Sequence, residues 1–199
     1  MILGILREYG NETRVVLLPE TVKAFIDLKV EVIVEKGAGE KAFAFDSDYV
    51  SAGAKIVSRE EVFSKSDVLL QIQPPIADEM QKIKPDQVWI SAFNPLWETA
   101  IVKSFIQSKI TSFSLDLIPR TTRAQAMDIL SSMATVAGYQ AVLEAATFLP
   151  TFFPMFMTAA GTIRPANVLI LGAGVAGLQA IATSRKLGAQ VQVFDVRSA

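Results

Sequence analysis

The chain has 199 residues, 51% hydrophobic and 20% charged, enough to bury the core of one large domain or two small ones. A net charge of −1, with neither sign dominating a long segment, leaves no electrostatic footprint for nucleic acid. Cysteine and histidine are both absent, which removes disulfides, thiolate chemistry, the commonest general base and the commonest zinc ligand, and no metal site is expected.

Ile2 to Leu6 reads as a strand that runs straight into charged Arg7 and Glu8, which argues against a leader peptide. Thr21 to Leu28 reads as a helix started by Pro19, and Val30 to Val34 as a strand closed by a turn at Gly37 and Gly39. Asp46 and Ser47 are cap candidates for a helix reaching Ala52, followed by a strand from Lys55 to Val57. Ser58 with Glu61 forms a capping-box pattern for another short helix. Val68 to Ile72 is a strand ended by Pro74 and Pro75, Ile76 to Ile83 is helical, and Val88 to Ala92 is a strand. Asn94-Pro95 is expected to cap a helix running to about Gln107, and Ile110 to Phe113 is the last strand of this half.

Strands alternating with helices imply a mostly parallel sheet covered on both faces. Ligands on such sheets gather at the carboxyl ends of strands, which draws attention to Arg7, Glu12, Arg14, Gln71, Gln73 and Asn94. Taken singly, each reads as a loop residue or a local hydrogen-bond partner.

From Pro119 to Tyr139, Arg120 and Arg123 precede an alanine-rich helical pattern with Gln125, Asp128 and Ser131 at intervals of three. On a helix each such step drifts by about 60°, so the three form a slanting polar row, with Met127, Leu130, Ala134, Ala137 and Ala141 on other faces. Gln125 and Asp128 can serve a site or merely cap and solvate a first turn. The most apolar stretch, Phe148 to Ala160, is broken by Pro150 and Pro154 and is too short to span a membrane. Its aromatics, Phe148, Phe152, Phe153 and Phe156, are expected in a buried connector or a subunit contact, and a cytoplasmic protein is expected.

Asn167 to Leu171 is an apolar strand followed at once by Gly172, Gly174 and Gly177 in the spacing G-x-G-x-x-G. The first glycine permits the tight turn, the second lets backbone approach a pyrophosphate, and the third lets helix and strand pack closely. A helix from Ala176 to Leu187 should turn Leu178, Ile181, Ala182 and Leu187 inward and stop at Gly188. The strand from Gln190 to Phe194 then ends on Asp195, placed to accept hydrogen bonds from an adenosine ribose and to repel a 2′-phosphate. The pattern therefore predicts NAD(H) in preference to NADP(H), with Arg197 as a counter-signal. A complete nucleotide fold has two βαβαβ halves, and after Asn167 there is room for one βαβ unit. Weak NAD(H) affinity and a poorly stable second domain are expected.

Several runs resemble the alpha subunit of proton-translocating NAD(P) transhydrogenase, a member of the alanine dehydrogenase/transhydrogenase superfamily. They are NETRVVLLPETV (Asn11 to Val22), VEKGAG (Val34 to Gly39), PRTTRAQAMDILSSMATVAGYQAV (Pro119 to Val142), TAAGTIRPANVLILGAGVAGLQAI (Thr158 to Ile181) and FDVR (Phe194 to Arg197). The resemblance implies two Rossmann-like α/β domains with parallel sheets, the second truncated after one βαβ unit. On this reading residues 1–122 are the first domain, 123–147 a connecting helix with the nicotinamide loop, 148–166 an apolar connector and 167–199 the start of the NAD-binding domain.

It further implies that Arg120, Gln125, Asp128 and Ser131 serve the nicotinamide end of NAD(H), with Ala126 and Met127 beside it. Gly172, Gly174, Val175 and Gly177 would hold the pyrophosphate, and Asp195, Val196 and Arg197 the ribose. The implied activity is hydride transfer from NADH to NADP⁺ on a partner component, coupled to proton movement through a membrane component. The implied assembly is a homodimer, peripheral on the cytoplasmic face of the inner membrane, and the fragment alone is expected to be inactive. Alanine dehydrogenase shares the architecture but as a family uses a lysine and a histidine on substrate, where Gln71 and Asn94 stand here, while Arg14 matches its substrate-carboxylate arginine. Neither Gln71 nor Asn94 supplies a proton at neutral pH. An amino-acid dehydrogenase and a non-catalytic nucleotide-binding module are the alternatives.

Overall fold

The computed structural model describes residues 1–197. Two compact units divide between Pro119 and Arg120. The first is a six-stranded, wholly parallel sheet. In chain order its elements are β1 (Ile2–Ile5), α1 (Pro19–Asp27), β2 (Glu31–Glu35), α2 (Asp46–Ser51), β3 (Lys55–Val57), α3 (Arg59–Lys65), β4 (Val68–Leu70), α4 (Ala77–Met80), β5 (Val88–Ser91), α5 (Thr99–Gln107) and β6 (Thr111–Ser114).

The spatial order β3-β2-β1-β4-β5-β6 is that of a doubly wound sheet, reversing direction between β1 and β4. Two apolar clusters cover its faces because side chains alternate along each strand. Leu3, Ile5, Val32, Val34 and Tyr49 belong to one, and Val62, Phe63, Leu69, Trp89 and Phe105 to the other. Pro19 starts α1, and Ser58 and Glu61 form the expected box at α3.

At the reversal point the chain bonds to itself. The buried Glu8 carboxylate accepts from the Ile72 amide at 2.6 Å and the Gln73 amide at 3.0 Å, while Gln71 Nε2 donates to the Arg7 carbonyl at 2.9 Å. Beside them Arg59 donates to Glu79 at 2.6 and 2.9 Å, to Glu35, and to the Tyr9 hydroxyl at 2.8 Å, which in turn donates to Glu79.

Several local expectations are corrected. The α5 helix begins at Thr99, because Asn94 adopts φ 44° and residues 95–97 turn before the N-cap at Glu98. Helix α4 is a single turn, and Ile83 lies beyond it in the core. Asp46 and Ser47 do not cap α2; the N-cap position falls on Phe45, which makes no side-chain cap bond but whose amide donates to Asp48 at 2.9 Å, while Asp46 accepts from the Gly37 amide.

The second unit contains α6 (Ile129–Phe148), an antiparallel hairpin of β7 (Phe156–Thr158) and β8 (Gly161–Ile163), then β9 (Asn167–Leu171), α7 (Val175–Lys186) and β10 (Gln190–Phe194). Strands β9 and β10 pair in parallel with Asn167 opposite Gln190, so one βαβ unit is present. Its core is small: Val142, Phe153 and Ala166, with Ala180, Leu187 and Ala189 against them. Leu178 and Ala182, expected inward, are exposed, and Thr183 and Ser184 are buried instead. The Thr183 hydroxyl satisfies itself on the Gln179 carbonyl at 2.8 Å, which lets a small polar residue take a close-packed position. Of the four connector aromatics only Phe153 is buried; Phe148 is 82% exposed, and Phe152 and Phe156 meet edge to face on the surface. Among the described residues no helix is long and apolar enough to cross a membrane.

Candidate functional site

The glycine turn lies between β9 and α7, tied to the neighbouring strand by the Gly172 amide donating to the Phe194 carbonyl at 2.7 Å. Each glycine has a different surrounding. Gly172 takes φ +99°, a left-handed conformation costly to other residues, and a Cβ there would meet nothing within 4 Å. A Cβ on Gly174 would also enter open space, whereas one on Gly177 would stand 1.9 Å from the Gly172 carbonyl oxygen. Close helix–strand packing thus requires Gly177, while Gly172 and Gly174 leave room in front of the backbone. Gly174 is the N-cap of α7 and makes no side-chain cap bond, and no acid stands in the first turn. The first amides of the helix and the positive end of its dipole suit an anion.

The facing wall is α6. Gly138 on it packs directly on the Ala176 backbone, where a Cβ would come within 2.1 Å of the carbonyl oxygen. Between the turn and the start of α6 lies a cleft of about 400 Å³, lined by Arg120, Leu130, Ser131 and Ala134 on one side and Leu171, Gly172, Gly174, Val175, Ala176 and Gly177 on the other. That cleft brings together six residues expected at the cofactor: Arg120, Ser131, Gly172, Gly174, Val175 and Gly177.

The expected slanting polar row does not form. Gln125, Ala126 and Met127 lie on a 3-10 helix (Thr122–Met127), and α6 begins only at Ile129, so Gln125 shares no α-helical face with Ser131. The exposed Gln125 does not line the cleft. Asp128 is the N-cap of α6: its carboxylate accepts from the Ser131 amide at 2.9 Å and the Ser131 hydroxyl at 2.7 Å. Those two bonds, with a smaller contribution from Arg120, hold the carboxyl below its ordinary range. Asp128 therefore positions Ser131, which does face the cleft.

At the end of β10 Asp195 reaches back to the turn, accepting from the Ala173 amide at 2.6 Å. Arg197 supplies three more bonds, from its amide at 2.8 Å and from Nε and Nη2 at 3.1 Å each. The Arg197 guanidinium first, then the backbone amides, keep this carboxyl ionised well below the usual carboxylate range. Val196 is exposed. Sequence reasoning missed the Ala173 amide and the Gly138–Ala176 contact. The spacing of small Ala134 and Gly138 four residues apart is the available signal for a close helix crossing. Among the described residues no cluster of acids could hold a metal ion.

The family model "Alanine dehydrogenase/PNT, N-terminal domain" matches residues 4–137, and "Alanine dehydrogenase/PNT, C-terminal domain" matches residues 141–199. An NAD(P) transhydrogenase subunit alpha protein of Rhodospirillum rubrum is 45% identical over 195 residues, covering 95% of this chain and 51% of that protein. The chain thus spans about half the length of this relative. A solved transhydrogenase from Sinorhizobium meliloti superposes with a TM-score of 0.95 at 42% identity, covering 99% of this chain and 57% of that one. The alanine dehydrogenase of Methanococcus maripaludis is more distant, 28% identical over 203 residues, covering 100% of this chain and 54% of that protein.

Proposed function

This chain belongs to the alanine dehydrogenase/PNT family, and on that premise we propose that it is the NAD(H)-binding part of a proton-translocating NAD(P) transhydrogenase. The observation that carries this reading is the open space in front of Gly172 and Gly174, in a cleft whose other wall presents Arg120 and Ser131. The residues fit a dinucleotide. Amides at the start of α7 would hold the pyrophosphate, Asp195 the ribose diol, and the end near Arg120 and Ser131 the nicotinamide. Gln125, Ala126 and Met127, on the neighbouring 3-10 helix, are proposed to close over that end, and Val196 and Arg197 to border the ribose.

Bound NADH supplies a hydride from ring carbon C4 to NADP⁺ on a partner component. That chemistry needs no protein acid, base or nucleophile, which suits a chain with no histidine or cysteine. The work left to the side chains is to orient the ring and exclude water. The NADP(H)-binding and membrane components, a homodimer, and a peripheral place on the cytoplasmic face of the inner membrane belong to the same proposal. The exposed aromatics Phe148, Phe152 and Phe156 suit a contact with another subunit.

An alanine dehydrogenase is disfavoured by Gln71, which is fully buried with its amide nitrogen committed to the Arg7 carbonyl and brings neither a proton nor a charge to a substrate. A non-catalytic nucleotide-binding module is the third reading. NADH fluorescence titration of the chain, followed by mixing with the NADP(H)-binding component and an acetylpyridine analogue, separates them. Saturable binding and hydride transfer are expected, with Gln125→Ala slowing transfer far more than it weakens binding. Absence of saturable binding defeats the proposal. Oxidation of NADH by pyruvate plus ammonium would move the assignment to an amino-acid dehydrogenase.

A further inference from the structure

An ionised carboxylate offers about four acceptor positions, and in Asp195 this chain fills all four. Two are taken by backbone: the Ala173 amide at 2.6 Å, which belongs to the glycine turn, and the Arg197 amide at 2.8 Å, which belongs to the bend after β10. The other two are taken by the guanidinium, Nε on Oδ1 and Nη2 on Oδ2, both at 3.1 Å. A ribose diol docking on Asp195 has no acceptor left unless something leaves. The backbone bonds are anchored by the turn and the strand end. The Arg197 side chain, by contrast, is 72% exposed, and among the described residues Asp195 is its salt-bridge partner.

We propose that Arg197 is a gate at the sugar end of the cleft, its guanidinium occupying the Asp195 oxygens that the adenosine ribose must take. Each binding event exchanges that ion pair for the two hydroxyls of the diol. The exchange has opposite signs for the two nicotinamide cofactors. For NADH the gate is a competitor, so its removal tightens binding. For NADPH the displaced cation stands beside the 2′ oxygen and partly offsets the repulsion from Asp195, so its removal weakens binding. The residue that looks like an ordinary ribose contact therefore lowers affinity for the unphosphorylated sugar and narrows the preference between the two. This inference rests on the dinucleotide reading of the cleft.

The test is fluorescence titration of the full chain with NADH and, separately, NADPH, comparing the parent with Arg197→Ala and Arg197→Lys. Loss of an exposed ion pair from the competing state should tighten NADH binding about two- to fivefold in Arg197→Ala. NADPH binding should weaken, so the ratio of the two dissociation constants widens. Arg197→Lys keeps the charge but not the two-pronged geometry, and should bind NADPH like the parent while binding NADH between the other two. Circular dichroism verifies that each variant is folded. Weaker NADH binding by Arg197→Ala, or parallel changes for both cofactors, overturns the gate while leaving the dinucleotide reading intact. A parent chain with no saturable NADH binding overturns both.

Discussion

Replacing Gly174 with alanine should separate binding from folding. Gly174 sits at φ −75° and ψ −170°, extended backbone open to any residue, and the added methyl meets no protein atom within 4 Å. Two modest effects on stability oppose each other. Fewer unfolded conformations favour alanine by about 0.4–1 kcal/mol, while alanine is a poorer N-cap than glycine by roughly 0.5 kcal/mol. The melting temperature of the second unit should therefore stay within about 4 °C of the parent. The methyl does enter the space where backbone would meet a pyrophosphate, and forcing a ligand back from a fitted surface costs about 1–3 kcal/mol. NADH should then bind about 5- to 150-fold more weakly. The assay pairs a thermal melt by circular dichroism with NADH fluorescence titration. In Gly177→Ala, where the methyl collides with the Gly172 carbonyl at 1.9 Å, both melting temperature and binding should fall. Unaltered NADH affinity in a folded Gly174→Ala protein would refute the placement of the phosphates at this turn.

Gly138→Ala requires the Ala176 carbonyl to retreat by about 1.3 Å to reach ordinary contact, so the second unit should lose about 1–2 kcal/mol in a urea melt despite the better helix propensity, and NADH should bind more weakly as the first turn of α7 shifts. Arg59→Leu leaves Glu79 and Glu35 without their shared cation in a setting where all three side chains are largely buried, and chemical denaturation should show the first unit destabilised by about 3–5 kcal/mol. The Arg14 guanidinium beside Glu12 holds its carboxyl down at about 2 against an ordinary value of 4.5. A depressed folded value contributes stability above the unfolded value and loses it as the pH falls, so this contribution should fade between about pH 4.5 and 2, amounting to about 1 kcal/mol or less because Arg14 is half exposed. Glu12→Gln should flatten that part of an acid-denaturation profile, and an unchanged slope would count against the pairing.

Periodicity and turn chemistry make the parallel sheets legible. The run Val32, Ile33, Val34 is apolar without interruption because a central parallel strand is buried on both faces, and Ser58 with Glu61 announces α3 by a mechanism that is entirely local. The glycine spacing is equally readable, since Gly172 and Gly177 answer to the backbone alone. What is not legible depends on partners distant in sequence or on small angular choices. A spacing of three cannot distinguish an α-helix from a 3-10 turn followed by a cap, and the row through Gln125 breaks on that ambiguity at Asp128. Hydropathy turns Leu178 inward, but Gly138 and Ala176 bring α6 so close to α7 that small residues take the inner face. The aromatics from Phe148 onward look like core by composition, yet the small second unit has room for only Phe153.

The self-bonding of Glu8 has a consequence for stoichiometry. In a doubly wound sheet, the mouth beside the order reversal is where an anionic guest is ordinarily received, and here a carboxylate of the host is already seated on the two amides that would greet it. The first unit shares the doubly wound strand order of nucleotide-binding sheets, and its own acid occupies the amides at the reversal point. Titrated to saturation, the chain should take up one equivalent of dinucleotide, and calorimetry reporting two would mean that Glu8 can be evicted.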